Sequence, residues 1–452
     1  MDAVLFARWV LVTAMLAALA ASCGDDASGS TKVVVDGDGA IDDIKALVYL
    51  VEQPAVEILA VTVSGTGIAH CPVAAENISA LLARIDAPGI PVACGRTTPL
   101  AGANTAPEVW RNAADTLGGV DLPEAPDLGD TSASELLVRT LGEADDVVVV
   151  ATGPLTNIAQ AFDRDPTVVD HIEMMYLMGG AVDVGGNVLY GNPDAEFNIW
   201  ADPHAAAMVF ATDVPITLIP LDATNALPVT PYLYEVVDAH RESSPVAEFM
   251  AEYLDVTPLY GGMYHWDELA AVAAIDESVV ATEERLLEVV EAGGASAGAT
   301  VVSDGGRPVR VAVDADRQRF EDSFYAAILG TSDTGIGAWE PDATLSWDGS
   351  ICVYQGPDPL PESMWIRIDN DSQDMIVWLL GSYAPGTTSD DWEAYLASGE
   401  TNPPDWWREL GQTPVPAGAH DVWKVTAGPE TTALCYVDET RFWEAAGPRI
   451  SE

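Results

Sequence analysis

The chain has 452 residues, is 48% hydrophobic and carries a formal net charge of −52. That length exceeds one typical domain, and the apolar fraction is enough for a sizeable core. Lysine occurs only at Lys32, Lys45 and Lys424 and there is no basic run. This excludes a binder that neutralises nucleic-acid phosphates and favours a neutral small molecule over a polyanion.

At the N-terminus, Arg8 precedes an apolar stretch from Trp9 to Ala21. It is too short to span a bilayer and fits a signal h-region. It ends in Leu19-Ala20-Ala21-Ser22-Cys23, followed by the polar segment Gly24–Thr31. This resembles a bacterial lipoprotein signal, with Ala20 where Leu is usual. The resemblance implies export, a lipid on Cys23 and anchoring to the cell envelope. Residues 1–23 would be the signal and lipobox, and 24–31 a linker. Beyond Cys23 there are Cys71, Cys94, Cys352 and Cys435, an even set suited to an oxidising compartment. Of the three possible pairings, Cys71–Cys94 with Cys352–Cys435 keeps each bridge within one part of the chain. None of the four has metal-binding spacing.

From Lys32 to Gly330 short apolar runs alternate with helical segments. Val33–Val35 is a strand leading into Asp36-Gly37-Asp38-Gly39-Ala40-Ile41-Asp42-Asp43, and Ile44–Val51 reads as a helix. Further buried strands are expected at Val56–Val63, Val147–Ala151, Met174–Met178 and Ile216–Ile219. Helices are expected at Val73–Ile85, Ser134–Leu141, Leu155–Phe162, Pro203–Phe210 and Asp267–Ile275. Ala101–Thr131 and Asp183–Ala195 read as long loops, of the kind that cover sites. This predicts an α/β fold, with a mostly parallel sheet carrying helices on both faces, over residues 32–330. Over 331–452 the texture changes. Ile351–Tyr354, Met364–Ile368, Met375–Leu380, Val422–Val425 and Ala433–Val437 predict a small all-β sandwich, with Trp392, Trp406 and Trp407 in a helical connection.

Four carboxylates within eight residues at a strand's carboxyl end repel one another unless a cation binds them, and oxygen-only ligands suit calcium or magnesium. An acidic, solvated turn at a helix start is the plain alternative. Four more segments bear on the choice: Ala151-Thr152-Gly153-Pro154-Leu155-Thr156-Asn157, Leu177-Met178-Gly179-Gly180, Asp194–Pro203, and Tyr264-His265-Trp266-Asp267-Glu268-Leu269-Ala270.

Together with the Asp cluster, these segments resemble, in order, those of the calcium-dependent, inosine–uridine-preferring nucleoside hydrolases. The resemblance implies hydrolysis of the N-glycosidic bond of ribonucleosides to ribose and free base. By the same resemblance Asp38 binds Ca2+ and takes the proton of the attacking water. Asp43 grips the ion with both oxygens, Thr152 gives its main-chain carbonyl, and Asp267 completes the ligand set and faces the substrate. Asp42 holds the ribose hydroxyls, joined by Asn198 and Glu196. Asn187 or Asn192 meets the 5′-hydroxyl, and Met178 packs beneath the ribose. Members are usually homo-oligomers.

The residue types suit the chemistry independently, because dense carboxylates stabilise an oxocarbenium-like sugar and accept from its hydroxyls. Three departures stand out. Gly39-Ala40 replaces Pro-Gly, Thr66 stands where Asn is common, and Trp266 takes the place of a His that protonates the leaving base. His265, one residue off, is expected to point away, and Trp266 either stacks on a purine or packs against the loop. His70, His171, His204 and His240 read as surface or packing residues, and Asn77 as structural. A surface lipoprotein that binds a nucleoside or ribose without turnover is the alternative in another class. A haloacid-dehalogenase-type phosphatase, suggested by Asp36-x-Asp38, is disfavoured by Ala40.

Overall fold

The computed structural model describes residues 30–331 apart from 189–191, 230, 257–262 and 292–295, and, between 341 and 444, chiefly eight strands. The signal segment and Cys23 lie outside the described residues.

The first sheet contains β1 (Thr31–Gly37), β2 (Val56–Val63), β3 (Val92–Cys94), β4 (Val147–Ala151), β5 (Ile172–Met178), β6 (Ile216–Ile219), β7 (Val280–Val289), β8 (Thr300–Val302) and β9 (Arg307–Ala315). Its order is β3-β2-β1-β4-β5-β6-β9-β7-β8. Pairing is parallel from β3 through to β9, and antiparallel only where β7 joins β9 and β8.

The β-branched runs explain the two-sided core. Strand side chains alternate faces, so Val33 and Val35 enter one apolar cluster and Val34 the other. Val148 and Val150 join the first cluster, Val147 and Val149 the second. The helices Ile41–Val51, Val73–Arg84, Pro245–Val256, Trp266–Ile275 and Arg317–Leu329 cover the first face. Ala133–Glu143, Thr156–Arg164 and Pro203–Phe210 cover the second.

The expected strands and helices of this region are all present, with ends shifted by two residues or fewer except at Ile41, where the helix begins three residues early. One expectation needs correcting. The stretch Ala101–Thr131 contains a helix, Glu108–Asp115, and a 3-10 turn at Leu117–Gly119. Pro, Gly and Asp around them dilute the periodic signal, and long-range contacts of the buried Arg111, Ala114 and Leu117 stabilise them.

Strand order reverses between β1 and β4, since the chain runs from β1 outward to β3 and then returns to the far side of β1. The carboxyl ends of β1 and β4 therefore flank a crevice, the usual ligand position in such sheets.

Beyond residue 340, β10 (Ala343–Trp347), β11 (Cys352–Gln355), β12 (Ser363–Asn370) and β15 (His420–Thr426) form a sheet in the order β11-β10-β12-β15. A second sheet, β14-β13-β16-β17, is built from β13 (Ile376–Tyr383), β14 (Trp407–Val415), β16 (Thr431–Asp438) and β17 (Arg441–Glu444). β14 lies against β12 and β15 of the first sheet. Ala343, Leu345 and Trp347 on β10 and Met364, Ile366 and Ile368 on β12 are buried by the same alternation. Trp407 opens β14 instead of lying in a helical connection; Trp392 and Trp406 lie outside the described residues. Cys71 and Cys94 are joined, and Cys352 is also disulfide-bonded.

Candidate active site

The acidic turn after β1 is buried. Asp36, Asp38 and Asp43 are 0%, 2% and 5% exposed, which rules out a merely solvated helix start. The Ala40 N–H donates to Asp38 Oδ1 (3.2 Å) and Asp43 Oδ2 (2.9 Å), and the Asp38 N–H to Asp43 Oδ1 (3.1 Å). Asp43 thus satisfies amides that a helix N-terminus leaves orphaned. Thr152, at the end of β4, donates its Oγ1–H to Asp43 Oδ1 (2.6 Å) and ties the two strand ends together. Gly39 sits at φ +75°, a left-handed conformation that glycine adopts without strain, so the turn closes without Pro-Gly.

Asp38 Oδ2 accepts from the Ile68 N–H (3.0 Å). A Cβ on Gly67 would overlap that oxygen, so only glycine permits this approach. The turn is held from behind by Arg111, on the Glu108–Asp115 helix. Its guanidinium donates to the carbonyls of Gly67, Gly65 (3.3 Å) and Ala69 (3.3 Å). Burial raises the Asp38 carboxyl above its ordinary range, opposed by its hydrogen bonds and by Arg111. Behind it, Asp36 Oδ1 accepts from Thr62 Oγ1 (2.6 Å) and Asn157 Nδ2 (2.8 Å), and burial pushes this carboxyl up to about 7.

Asp267 enters from the start of the Trp266–Ile275 helix. Oxygen atoms of Asp42, Asp43 and Asp267 all lie within 4.8 Å of one another. Asp43 and Asp267 are held well above the ordinary carboxylate range, first by burial and then by neighbouring carboxylates. Asp42, half-buried, is pushed up to about 7 by burial and by Glu268, with Lys45 opposing. A buried, oxygen-only set of mutually repelling carboxylates fits a hard divalent cation. The triad that converges is Asp42, Asp43 and Asp267. Asp38 stands beside it, and Thr152 touches it through Oγ1, while its carbonyl accepts from Asn198 Nδ2 (3.0 Å).

The opposite rim is held largely by hydrogen bonds to backbone groups. Glu196 caps the short helix Phe197–Ala201, accepting from Asn198 N–H (2.8 Å), Ile199 N–H (3.1 Å) and Gly180 N–H (3.0 Å). Burial outweighs these bonds and pushes its carboxyl up to about 7. Asn198 Nδ2 also reaches the Met178 carbonyl (3.3 Å). Asn187 Oδ1 accepts from the Phe197 N–H (2.8 Å), whereas Asn192 donates to the Ala297 carbonyl and leaves its buried Oδ1 without a partner among the described residues.

Trp266 is partly buried, its ring 5.8 Å from that of Tyr264. His265 turns away, as expected. Its Nδ1 lies 3.0 Å from Glu268 Oε1, its ring packs 4.9 Å from Phe320, and burial holds the imidazole below its ordinary range. Thr66 Oγ1 bonds Ser64 Oγ and Thr156 Oγ1, both at 2.9 Å. His70, His171 and His204 pair with Asp115, Asp145 and Glu291, His240 bonds the Val236 carbonyl, and Asn77 bonds the Asp115 carbonyl. Sequence reasoning missed Arg111 and the buried ion pair of Lys45 with Glu268. The scarcity of lysine was a signal for Lys45; nothing local marked Arg111.

Residues 33–322 match the family model described as inosine-uridine preferring nucleoside hydrolase. The chain belongs to that family. It is 31% identical over 317 residues to the pyrimidine-specific ribonucleoside hydrolase RihA of Salmonella schwarzengrund, covering 65% of this chain and 99% of the relative. The corresponding protein of Klebsiella pneumoniae is 32% identical over 318 residues, with the same coverage. Among solved structures, the inosine-uridine preferring nucleoside hydrolase from Bacillus anthracis superposes with a TM-score of 0.59 at 26% identity, covering 66% of this chain and 99% of that one. The purine-preferring ribonucleoside hydrolase from Gardnerella vaginalis gives 0.58 at 28%, covering 66% and 98%. Family membership makes this protein an enzyme, a glycosyl hydrolase acting on the N-glycosidic bond of nucleosides. The matched stretch ends before β10, so the two C-terminal sheets are additional to the family's fold.

Proposed function

We propose that this hydrolase cleaves ribonucleosides to ribose and free base, with calcium at the Asp42–Asp43–Asp267 cluster, Asp38 as general base, and the Glu196–Asn198 rim against the sugar. The convergence of three carboxylates beside Asp38, at the strand-order reversal, carries this reading. A bound calcium ion would orient and acidify a water. Each Asp38 oxygen accepts one backbone N–H, the side chain interacts with that of Asp43, and burial raises its proton affinity, as a general base requires. Asp43, Thr152 and Asp267, with Asp38, would hold the ion.

Asp42, the half-buried member of the cluster, accepts from ribose hydroxyls. Asn198 uses its amide N–H groups on protein carbonyls and keeps Oδ1 for the sugar. Glu196 orients Asn198 beneath the sugar through the hydrogen bonds it accepts from the Asn198 and Ile199 N–H groups. Met178 forms the floor. For the 5′-hydroxyl, Asn192 is favoured over Asn187, because its buried Oδ1 is without a partner among the described residues while that of Asn187 is committed to a helix end. Trp266 offers its ring to the base in the place of a leaving-group acid.

The Cys71–Cys94 disulfide supports export; the lipid anchor on Cys23 is assigned from the resemblance of its segment to a lipoprotein signal. We assign residues 32–330 to the catalytic domain and 331–452 to an accessory β domain, with Cys352 paired to Cys435 and a homo-oligomeric assembly. The test is release of ribose from inosine, adenosine, guanosine, uridine and cytidine, with calcium and with chelator. Calcium-dependent release that Asp38→Ala abolishes is the expected result. Absence of release from every nucleoside while calcium binds would sink this reading in favour of a binding protein.

A further inference from the structure

A buried ion pair lies directly behind the acidic cluster. Lys45 Nζ meets Glu268 Oε1, with the two side chains 3% and 0% exposed. His265 Nδ1 is the second partner of the same oxygen, at 3.0 Å. The positions matter as much as the contact. Lys45 follows Asp42 by three residues on the Ile41–Val51 helix, and residues three apart share a helix face. Glu268 follows Asp267 at the start of the Trp266–Ile275 helix. These two helices pack against each other, so the pair joins the elements that bring Asp42 and Asp43 to Asp267.

Stability alone is a poor explanation for this arrangement. Burying two charges carries a desolvation cost, and apolar replacement of such pairs is often neutral or stabilising. Here Glu268 Oε2 is also buried without a hydrogen-bond partner among the described residues, an added cost. The pair is neutral as a unit. A lone ammonium at this place would repel a cation at the cluster, and a lone carboxylate would add to the repulsion within it. Lys45 Nζ and His265 Nδ1 both face the one Glu268 oxygen, so the carboxylate lies between two nitrogen groups.

We propose that Lys45 and Glu268 are positioning residues: a charge-neutral clamp between two helices that sets the spacing of Asp42 and Asp43 from Asp267, and thereby the affinity of the cluster for a divalent cation. This rests on the reading of the cluster as a metal site, and the test separates the two. Calcium is titrated calorimetrically into the full-length protein, Asp267→Asn, and the double variant Lys45→Met/Glu268→Gln, which removes the clamp without changing net charge. Thermal midpoints are taken in chelator. The expected result is tight binding by the native protein and its loss in Asp267→Asn. In the double variant affinity falls about 10- to 100-fold, as for other residues that orient metal ligands, with the chelated midpoint unchanged or raised. Native affinity in the double variant, with Asp267→Asn still defective, overturns the clamp and leaves the cluster intact. Absence of binding by the native protein overturns the cluster reading and the clamp with it. Should the double variant fail to fold, Lys45→Arg decides, because it keeps the charge and displaces the contact. A fall in affinity of about threefold or more supports the clamp, and native affinity overturns it.

Discussion

The two rims of the active-site crevice are built on opposite terms. On the β1 side, Asp38, Asp42, Asp43 and Asp267 are buried like charges whose carboxyls are all displaced upward. On the β5 side, Glu196 and Asn198 spend their hydrogen-bonding capacity on backbone groups of the protein. The first rim is a set of crowded carboxylates that could hold a cation; the second is held in place chiefly by backbone hydrogen bonds. On the proposed function, the crevice would combine a hydrogen-bonded sugar-facing rim with an acidic rim that a cation would neutralise.

Four changes would break or sharpen this contrast. The largest effect is expected from Asp38→Ala, which removes the base from the reactive rim. Steady-state kinetics with the best nucleoside should show kcat lowered about 10²- to 10⁴-fold with little change in KM.

Next comes Glu196→Gln, read by chemical denaturation in chelator across pH. The Glu196 carboxyl is raised to about 7 in the folded protein from an ordinary 4.5. Over that interval the unfolded chain has lost a proton that the folded chain keeps. Its contribution is therefore complete below the unfolded value and is lost as pH rises through the folded one. The native protein should lose about 3 kcal/mol of stability from this group between those limits, and Glu196→Gln should flatten that part of the profile. An unchanged profile would show that the rim is ionised throughout.

Arg111→Met should follow. Freed carbonyls at Gly65, Gly67 and Ala69 should cost about 1–3 kcal/mol in denaturant unfolding and lower kcat through Asp38, leaving the other rim intact. The smallest effect belongs to Asn198→Ala. Loss of its donor to Thr152 and Met178 should raise KM about tenfold, and unchanged KM would show that the second rim does not touch the sugar.

The legible parts of this molecule were those encoded by short-range pattern. The valine runs of β1 and β4 identified central strands because burial on both faces demands continuous apolar sequence. The Asp cluster and the Thr152, Met178, Asn198 and Asp267 segments stood at strand or helix ends, where their resemblance to the family's ordered segments implied a common site. The Glu108–Asp115 helix was not legible, because Arg111 holds it to a turn more than forty residues away. The strands Ala343–Trp347 and Trp407–Val415 also escaped, being paired with strands well removed in the chain, as did Arg441–Glu444, a short hairpin partner of β16.

By itself the sequence determined the alternating α/β plan and the Cys71–Cys94 pairing among few options, while its family resemblance supplied the candidate acidic and sugar-facing residues. Tertiary structure alone decided that Asp42 converges with Asp43 and Asp267 while Asp38 stands beside them, that Asn192 Oδ1 has no partner among the described residues, and that Lys45 meets Glu268. Pattern and propensity act over a few neighbouring residues. The distance between two carboxylates, or between an ammonium and a carboxylate, is set by how helices far apart in the chain pack on one sheet.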